Sequence, residues 1–503
     1  MFTDFSITTT TTTTASFNNN LMVEIIKYVG FPDGHFKFSI QTWLLILFWL
    51  SLPLTAKIYS YYSYIQRVYK KRKRIELSYD INEVVIVVLG DLGHSPRMSY
   101  HAKSFKDLGY HVNLCGYLES SLPQFLYDPD NIEIYDIPVI KRKRYLPYLI
   151  FAFLKVINQI FYLTNLLKNI IGDNTRFVLI QNPPSLPILL IIGLIKKIWA
   201  PNVQIIIDWH NLNWSILNLK YQNENHPIIK LMKFYEKYCS LKFADFNITV
   251  TKALKNYLIE EFGLNSDKIM TVYDRPSHIF QPLSSQNELK KILTNNESLF
   301  NKDVNYNQLN DRILITSTSF TPDEDFIILV KCLKLMNEKL SGTNNRIVMI
   351  VTGKGPLQET FLKSINSYKW TNIVIKNVWL PISEYPNILK IADLGISLHV
   401  SSSGLDLPMK IVDLFGSGVP VVSMNYPVIK ELVNDDENGV ILKDNKDEIS
   451  MSDDILGLLF NKEEKDKYVN IKNGALLESQ RRWDDEWNTK LFSMLSLNNS
   501  NKI

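Results

Sequence analysis

The chain is poor in the residues that cross-link a fold or hold a metal. Its 503 residues include only three cysteines, Cys115, Cys239 and Cys332, far apart and in no metal-ligand spacing. That excludes a disulfide-stapled scaffold and a cysteine zinc site, and fits a reducing compartment. No Gly-x-Gly-x-x-Gly run follows a strand pattern, which argues against a dinucleotide site. No Asp-x-Asp pair stands at a strand end, so no divalent ion site is encoded, although such an ion could still assist. Charge of one sign is also lacking: 55 Lys and Arg against 51 Asp and Glu leave +4, too little for a nucleic-acid partner. The start has no positive n-region and no small-residue cleavage site, which argues against a cleaved signal peptide.

What is present is apolar and aromatic. Hydrophobic residues make up 46% of the chain and aromatic ones 12%, a globular profile with ample surface to bury. The length predicts two domains plus non-globular segments. Residues 1–40 contain a seven-threonine run, Thr8 to Thr14, and then Asn18, Asn19 and Asn20, a low-complexity tract that forms no core. Residues 41–65 read QTWLLILFWLSLPLTAKIYSYYSYI, with Trp43 and Trp49 towards one side and Tyr59, Tyr61, Tyr62 and Tyr64 towards the other. This is the pattern of a transmembrane helix with aromatic anchors if Lys57 snorkels to an interface; the alternative is a buried helix. Arg67, Lys70, Lys71, Arg72, Lys73 and Arg74 follow at once. Basic flanks stay cytosolic, which predicts a single-pass protein with residues 1–40 lumenal and everything beyond Arg74 cytosolic. On that topology Asn213-Trp-Ser215 and Asn247-Ile-Thr249 never meet the lumenal glycosylation machinery.

From Glu83 onward, short β-branched runs alternate with helical stretches, the signature of doubly wound parallel sheets. In residues 80–283 strands are expected at 84–89, 112–114, 132–135, 177–180, 204–207 and 246–250. In residues 312–495 they are expected at 313–316, 347–351, 373–375, 394–398 and 420–423. Residues 284–311 are polar, Asn-rich and aperiodic, and read as the linker. The expected fold class is α/β, with two Rossmann-like domains whose strand ends share a crevice. Lys141-Arg142-Lys143-Arg144 precedes a stretch at 145–171 with polar residues near a helical period. Docking on anionic lipid and packing on the sheet both fit that pattern.

Five motifs fall at strand ends. Gly90-Asp91-Leu92-Gly93-His94-Ser95-Pro96-Arg97 turns into a helix and offers free amides to an anion, although a plain strand-to-helix connection would look the same. Gln181-Asn182-Pro183-Pro184-Ser185 and Asp208-Trp209-His210-Asn211 follow the fourth and fifth strands. Side chains two apart at a strand end share a direction, so Asp208 and His210 suit a general base and its orienting partner, or a structural role. Gly353-Lys354-Gly355-Pro356 reads as a phosphate loop or as a tight turn. The richest segment runs from Ser401 to Val422. Its serine and glycine loop around Gly404 offers amides and hydroxyls to a diphosphate, a helix begins near Pro408, Asp413 can accept ribose hydroxyls, and Lys410 can neutralise phosphate charge.

In this order LGDLGHSPRMSYHA (Leu89 to Ala102), QNPPSLP (Gln181 to Pro187), DWHN (Asp208 to Asn211), VYDRP (Val272 to Pro276), TGKGPL (Thr352 to Leu357) and SSSGLDLPMKIVDLFG (Ser401 to Gly416) resemble the eukaryotic chitobiosyldiphosphodolichol β-mannosyltransferases. The resemblance runs from about Val84 to Trp487. It implies a GT-B enzyme on the cytosolic face of the endoplasmic reticulum membrane. Such an enzyme moves mannose from GDP-mannose to GlcNAc2-diphosphodolichol with inversion, forming a β-1,4 linkage in lipid-linked oligosaccharide synthesis for N-glycosylation. No cofactor is implied; the partners are the two substrates, the bilayer and, as an open question, other dolichol-pathway transferases. Inversion requires a base for the acceptor hydroxyl, here Asp208 or His210 with Asp91 in reserve. Gly93, Ser95 and Arg97 are assigned to the acceptor or its diphosphate, and Gly353, Lys354, Gly404, Leu405, Lys410 and Asp413 to the donor. One departure stands out. Related GT-B mannosyltransferases carry an Arg and Lys pair after the first strand of the second domain and two glutamates eight positions apart. Here Ser317-Thr318-Ser319-Phe320-Thr321 has no basic pair, and Leu405 and Asp413 occupy the two acidic positions. Amides, hydroxyls and Lys354 or Lys410 must then hold the diphosphate. A different lipid acceptor and a non-catalytic membrane scaffold remain the competing functions.

Overall fold

The computed structural model describes residues 82–139, 148–300, 304–322, 324–381 and 383–495. The low-complexity tract 1–40, the expected membrane span 41–65 and the basic cluster 141–144 lie outside these residues. Among the described residues no helix is long and apolar enough to cross a membrane.

The first half runs β1 (Glu83–Asp91), α1 (Pro96–Asp107), β2 (His111–Tyr117), β3 (Ile132–Asp136), α2 (Tyr148–Ile170), β4 (Thr175–Asn182), α3 (Ile188–Ile198), β5 (Gln204–Trp209), α4 (Asn213–Tyr221), α5 (Pro227–Phe243), β6 (Phe246–Thr249), α6 (Lys252–Tyr257) and β7 (Ile269–Thr271). Its seven strands are all parallel, in the order 3-2-1-4-5-6-7. In β1 the alternation splits two cores: Val85, Val87 and Leu89 join the helices on one face, and Val84, Ile86 and Val88 those on the other. A strand covered on both faces has no polar side, which is why these runs read as continuous apolar stretches. β7 is too short to announce itself in the sequence.

The second half holds α7 (Gln286–Asn295), α8 (Glu297–Phe300), β8 (Asp311–Thr318), α9 (Phe326–Lys339), β9 (Arg346–Gly353), α10 (Gln358–Asn366), β10 (Ile373–Val378), α11 (Tyr385–Lys390), β11 (Leu394–Ser397), α12 (Met409–Gly416), β12 (Val421–Ser423), β13 (Gly439–Ile441), α13 (Glu448–Phe460), α14 (Lys465–Glu478) and α15 (Trp483–Met494). Its parallel sheet has the order 10-9-8-11-12-13.

Two domain assignments change. Residues 284–311 are not a featureless linker. They carry α7 and α8, and Leu289, Ile292, Leu299, Phe300 and Val304 are buried in the second domain. The start of α7 is a capping box: the Ser285 hydroxyl accepts from the Glu288 amide at 3.2 Å, and the Glu288 carboxylate accepts from the Ser284 amide at 2.8 Å. The asparagines masked that signal. The far end of 312–495 also does not stay with its own sheet. Helix α15 returns to the first domain, where Trp483, Trp487, Leu491 and Leu495 pack beneath α1 and the indole of Trp483 donates to Ser104 at 3.0 Å.

Trp487 is fully buried. Trp487→Ala is expected to cost about 3–5 kcal/mol in urea unfolding, whereas Trp379→Ala, at a side chain 59% exposed, should change stability by less than about 0.5 kcal/mol.

Candidate active site

Ligands of open α/β sheets bind where the strand order reverses. The reversals fall between β1 and β4 and between β8 and β11. A crevice between the two domains is lined in part by Tyr273, Asp274 and Arg275 of the segment after β7 and by Leu407, Val412 and Glu431 of the second domain. Polar contacts close it from both sides. The Asn211 amide donates to Asp406 at 2.8 Å, and the Thr251 hydroxyl to the Leu405 carbonyl at 2.6 Å. The Glu431 carboxylate accepts from the first amides of α6, Lys252 at 2.7 Å and Ala253 at 2.8 Å, and from the Tyr273 hydroxyl at 2.8 Å.

Arg97, expected at a diphosphate, is not available to one. It is 3% exposed, and its guanidinium grips Asp208 through Nε at 2.8 Å and Nη2 at 3.0 Å. Its Nη1 donates to the Val272 carbonyl and to Asp274, both at 2.9 Å. Asp208 has no exposed surface, which removes it as a base acting directly on an acceptor. Burial alone would raise its pKa, but Arg97 and the neighbouring histidines hold it well below the carboxylate range.

An ionised Asp208 can only accept, and this fixes two histidine tautomers. His210 Nε2 lies 2.9 Å from Asp208 Oδ2, so Nε2 carries the proton and Nδ1 the lone pair. His210 keeps 26% of its side chain in solvent. Buried His101 accepts the Trp487 indole N–H on Nδ1 at 3.0 Å, leaving its own Nε2–H for Asp208 at 3.2 Å. The reserve candidate Asp91 forms a second acid and histidine pair, accepting from His94 at 2.6 Å and from the Glu119 and Ser120 amides at 3.1 and 3.2 Å. Against the effect of burial, hydrogen bonds from Ser120, His94 and those amides lower its pKa. The other residues of this turn serve the turn itself. A Cβ on Gly93 would stand 2.8 Å from Ser120 Cβ and the Ser121 carbonyl, and the Ser95 hydroxyl donates to the Asp91 carbonyl at 2.9 Å.

On the donor side, Gly353 takes φ +142°, and a Cβ there would overlap the Thr318 carbonyl at 1.8 Å. The GKGP turn thus lies directly on the turn after β8. Lys354 sits over the Trp379 ring, 4.9 Å from its centroid. Gly404 occupies the left-handed region at φ +71°, and Leu405 packs against cores of both domains. Lys410 pairs with Glu324, a buried carboxylate that also accepts the Ser319 amide at 3.0 Å, so its charge is already matched before any phosphate arrives. Asp413 is half-buried; burial, helped by Asp274, pushes its pKa up to about 8. Glu324, Asp274, Asp406 and Glu431 escaped the sequence reading, although Asp274 and Asp406 stand inside the motifs VYDRP and SSSGLDLPMKIVDLFG. Among the described residues no group of three or more His, Cys, Asp or Glu is arranged to hold a metal ion.

Removing Arg97 strands a buried charge, so Arg97→Ala is expected to cost about 3–5 kcal/mol of unfolding free energy; adding Asp208→Asn to that variant should restore part of the loss, and simple additivity would contradict the pairing. Asp413 is shifted the other way. Its folded pKa lies above the unfolded value, so between pH 4 and 8 the native state holds more protons and stability falls as pH rises. Asp413→Asn should therefore gain on the parent in urea midpoint more at pH 8 than at pH 5.

The fold has solved counterparts. A glycosyltransferase from Rickettsia africae aligns with TM-score 0.54 at 16% identity over 83% of this chain and 99% of its own. A sucrose-phosphate synthase from Thermosynechococcus elongatus aligns with TM-score 0.59 at 12% identity over 81% and 96%. Both support the GT-B architecture of two facing Rossmann-like domains. The family profile "Glycosyl transferases group 1" matches residues 299–475. The chain is 46% identical to the chitobiosyldiphosphodolichol beta-mannosyltransferase of Debaryomyces hansenii, over 93% of this chain and 97% of that one. The Candida albicans protein of that name is 46% identical over 95% and 100%, and the Homo sapiens one 33% over 80% and 90%. With the crevice, the strand-end motifs and these relatives in agreement, the chain belongs to the chitobiosyldiphosphodolichol β-mannosyltransferase family of glycosyltransferases.

Proposed function

We propose that this chain is an inverting mannosyltransferase that moves mannose from GDP-mannose to GlcNAc2-diphosphodolichol, forming a β-1,4 linkage in lipid-linked oligosaccharide synthesis for protein N-glycosylation. The observation that carries the chemistry is His210, about a quarter exposed at the end of β5, with its tautomer set by a buried carboxylate. Nδ1 takes the proton of the acceptor 4-hydroxyl as the oxygen bonds to the anomeric carbon. The bond from that carbon to the GDP phosphate oxygen breaks, and GDP leaves with the electron pair. Asp208 steadies the imidazolium that forms, acting as a positioning residue. Asp413 meets the ribose, the 401–404 loop and the 353–355 turn supply amides to the diphosphate, and Lys354 adds charge, Lys410 being paired with Glu324. The reading places the chain in the endoplasmic reticulum membrane, with residues 41–65 as a single span and the two domains cytosolic, as the basic run after the span supports. Association with other transferases of the dolichol pathway belongs to the same reading.

The test is turnover of GDP-mannose with GlcNAc2-diphospho-phytanol by the detergent-solubilised full chain. The parent should form the mannosylated lipid, and His210→Ala should lower kcat by about 10²–10⁴-fold. Product from a different lipid sugar alone would overturn the acceptor. Undiminished function in His210→Ala and Asp413→Ala would favour a scaffold.

A further inference from the structure

The first domain leaves one face apolar where a water-soluble domain would be polar. Helices α2, α3 and α5 all contribute to the same core, on one side of the first sheet. α3 is apolar almost all round: Ile188, Leu189, Ile191, Ile192 and Ile195 are buried, yet Leu190, Leu194 and Ile198 remain 41%, 42% and 59% exposed on its outer side. α5 carries a second column at helical spacing, Ile228, Leu231, Phe234, Tyr238 and Leu241, with Leu231 66% and Phe234 63% exposed. The columns run close together because Gly193 lets the Phe243 ring press onto α3, where a Cβ would stand 2.3 Å from it. Ile216 and Leu219 of α4 and Phe161 of α2 are exposed as well. A helix apolar on every side is made for burial on both sides, and a contiguous patch of this kind marks a docking surface.

The charges choose the occupant. Neither α3 nor α4 contains an acidic residue, and the one acid of α5, Glu236, is buried, accepting Asn182 Nδ2 at 3.0 Å and the Asn213 amide at 2.9 Å. Exposed Lys197, Lys220, Lys230 and Lys242 remain on the same three helices. Exposed carboxylates stand only beside these helices, at Glu224 in the α4–α5 turn and at Glu261, which pairs with Lys233 of α5 at 3.1 Å; apolar columns studded with lysine complement an anionic lipid surface. We propose that the outer face of α3, α4 and α5 lies on the cytosolic leaflet of an anionic bilayer, its leucine and phenylalanine side chains in the acyl boundary. This rests on the membrane-held acceptor proposed above and deepens it. α3 follows the Asn182–Pro187 turn and α4 follows His210–Leu212 directly, so the lipid-facing helices begin at the crevice. The sugar of a bilayer-held acceptor then needs to rise only from the headgroup layer to His210.

The three native cysteines are buried, so single exposed cysteines can be labelled in the full chain. Leu194→Cys and Leu231→Cys, with Ile327→Cys of α9 as control, are labelled with a polarity-sensitive fluorophore and reconstituted into phosphatidylcholine vesicles containing phosphatidylserine and a spin-labelled lipid. Emission at 194 and 231 should shift to the blue and be quenched several-fold more than at 327. Adding Lys230→Glu and Lys242→Glu should weaken lipid contact by at least about 25-fold, since each lysine near such a surface contributes about fivefold. Equal quenching at all three positions would overturn the proposal. So would shielding without lipid quenching, which would mean that protein covers the face, from a second copy or this chain's own N-terminal segment. Mannosyl transfer by each labelled protein is measured beside it in detergent. Transfer without lipid contact refutes the face alone, and lipid contact without transfer in the parent refutes the catalytic reading alone.

Discussion

Everything in the crevice depends on one buried ion pair. Arg97 and Asp208 meet with almost no solvent between them, and burying two charges is costly unless every lone pair and proton has a partner. Here most do. Arg97 Nη1 donates to the Val272 carbonyl and to Asp274, and Asp208 also accepts from His210, with buried His101 Nε2 3.2 Å away. The pair therefore ties together the start of α1, the end of β5 and the segment after β7, three elements distant in sequence. The arrangement of His210 follows from it, because a carboxylate that must accept dictates which imidazole nitrogen carries the proton.

The same pair explains how the two halves of the site speak to each other. Asp274, bound to Arg97, also adds to the field that keeps Asp413 protonated near neutral pH. The donor side is rich in carboxylates, and its lysine at 410 is already neutralised by Glu324. On the proposed function, a nucleotide diphosphate entering such a site would be met chiefly by backbone amides of the glycine turn at 353 and the serine loop at 401–404.

Much of this was legible in the residues. The doubly wound halves announced themselves because strands buried on two faces are apolar throughout; the motifs after β1, β4 and β11 fell at the switch points, while DWHN and GKGP follow the neighbouring strands β5 and β9. The motifs did not disclose which of their members face a ligand and which face each other. Arg97 looked like a phosphate ligand because its type and place allow that; only three dimensions show Asp208 and Asp274 closing around it. Residues 284–311 misled by composition, since asparagines hid a capping box and the Leu289 and Ile292 pair. The return of α15 could not be read at all, because nothing local distinguishes two tryptophans that serve a neighbouring domain from two that serve their own.

That return has a mechanical consequence. The polypeptide passes between the domains twice, once beyond β7 and again before α15, and the passages share an ion pair between Arg275 and Glu486 at 2.9 Å. Two tethers side by side behave as a door hinge rather than a ball joint: they allow swing about the line between them and resist twist. Swing about that line would part Asn211 from Asp406 while the hinge edge stays shut, so each reclosure restores the same contacts across the crevice.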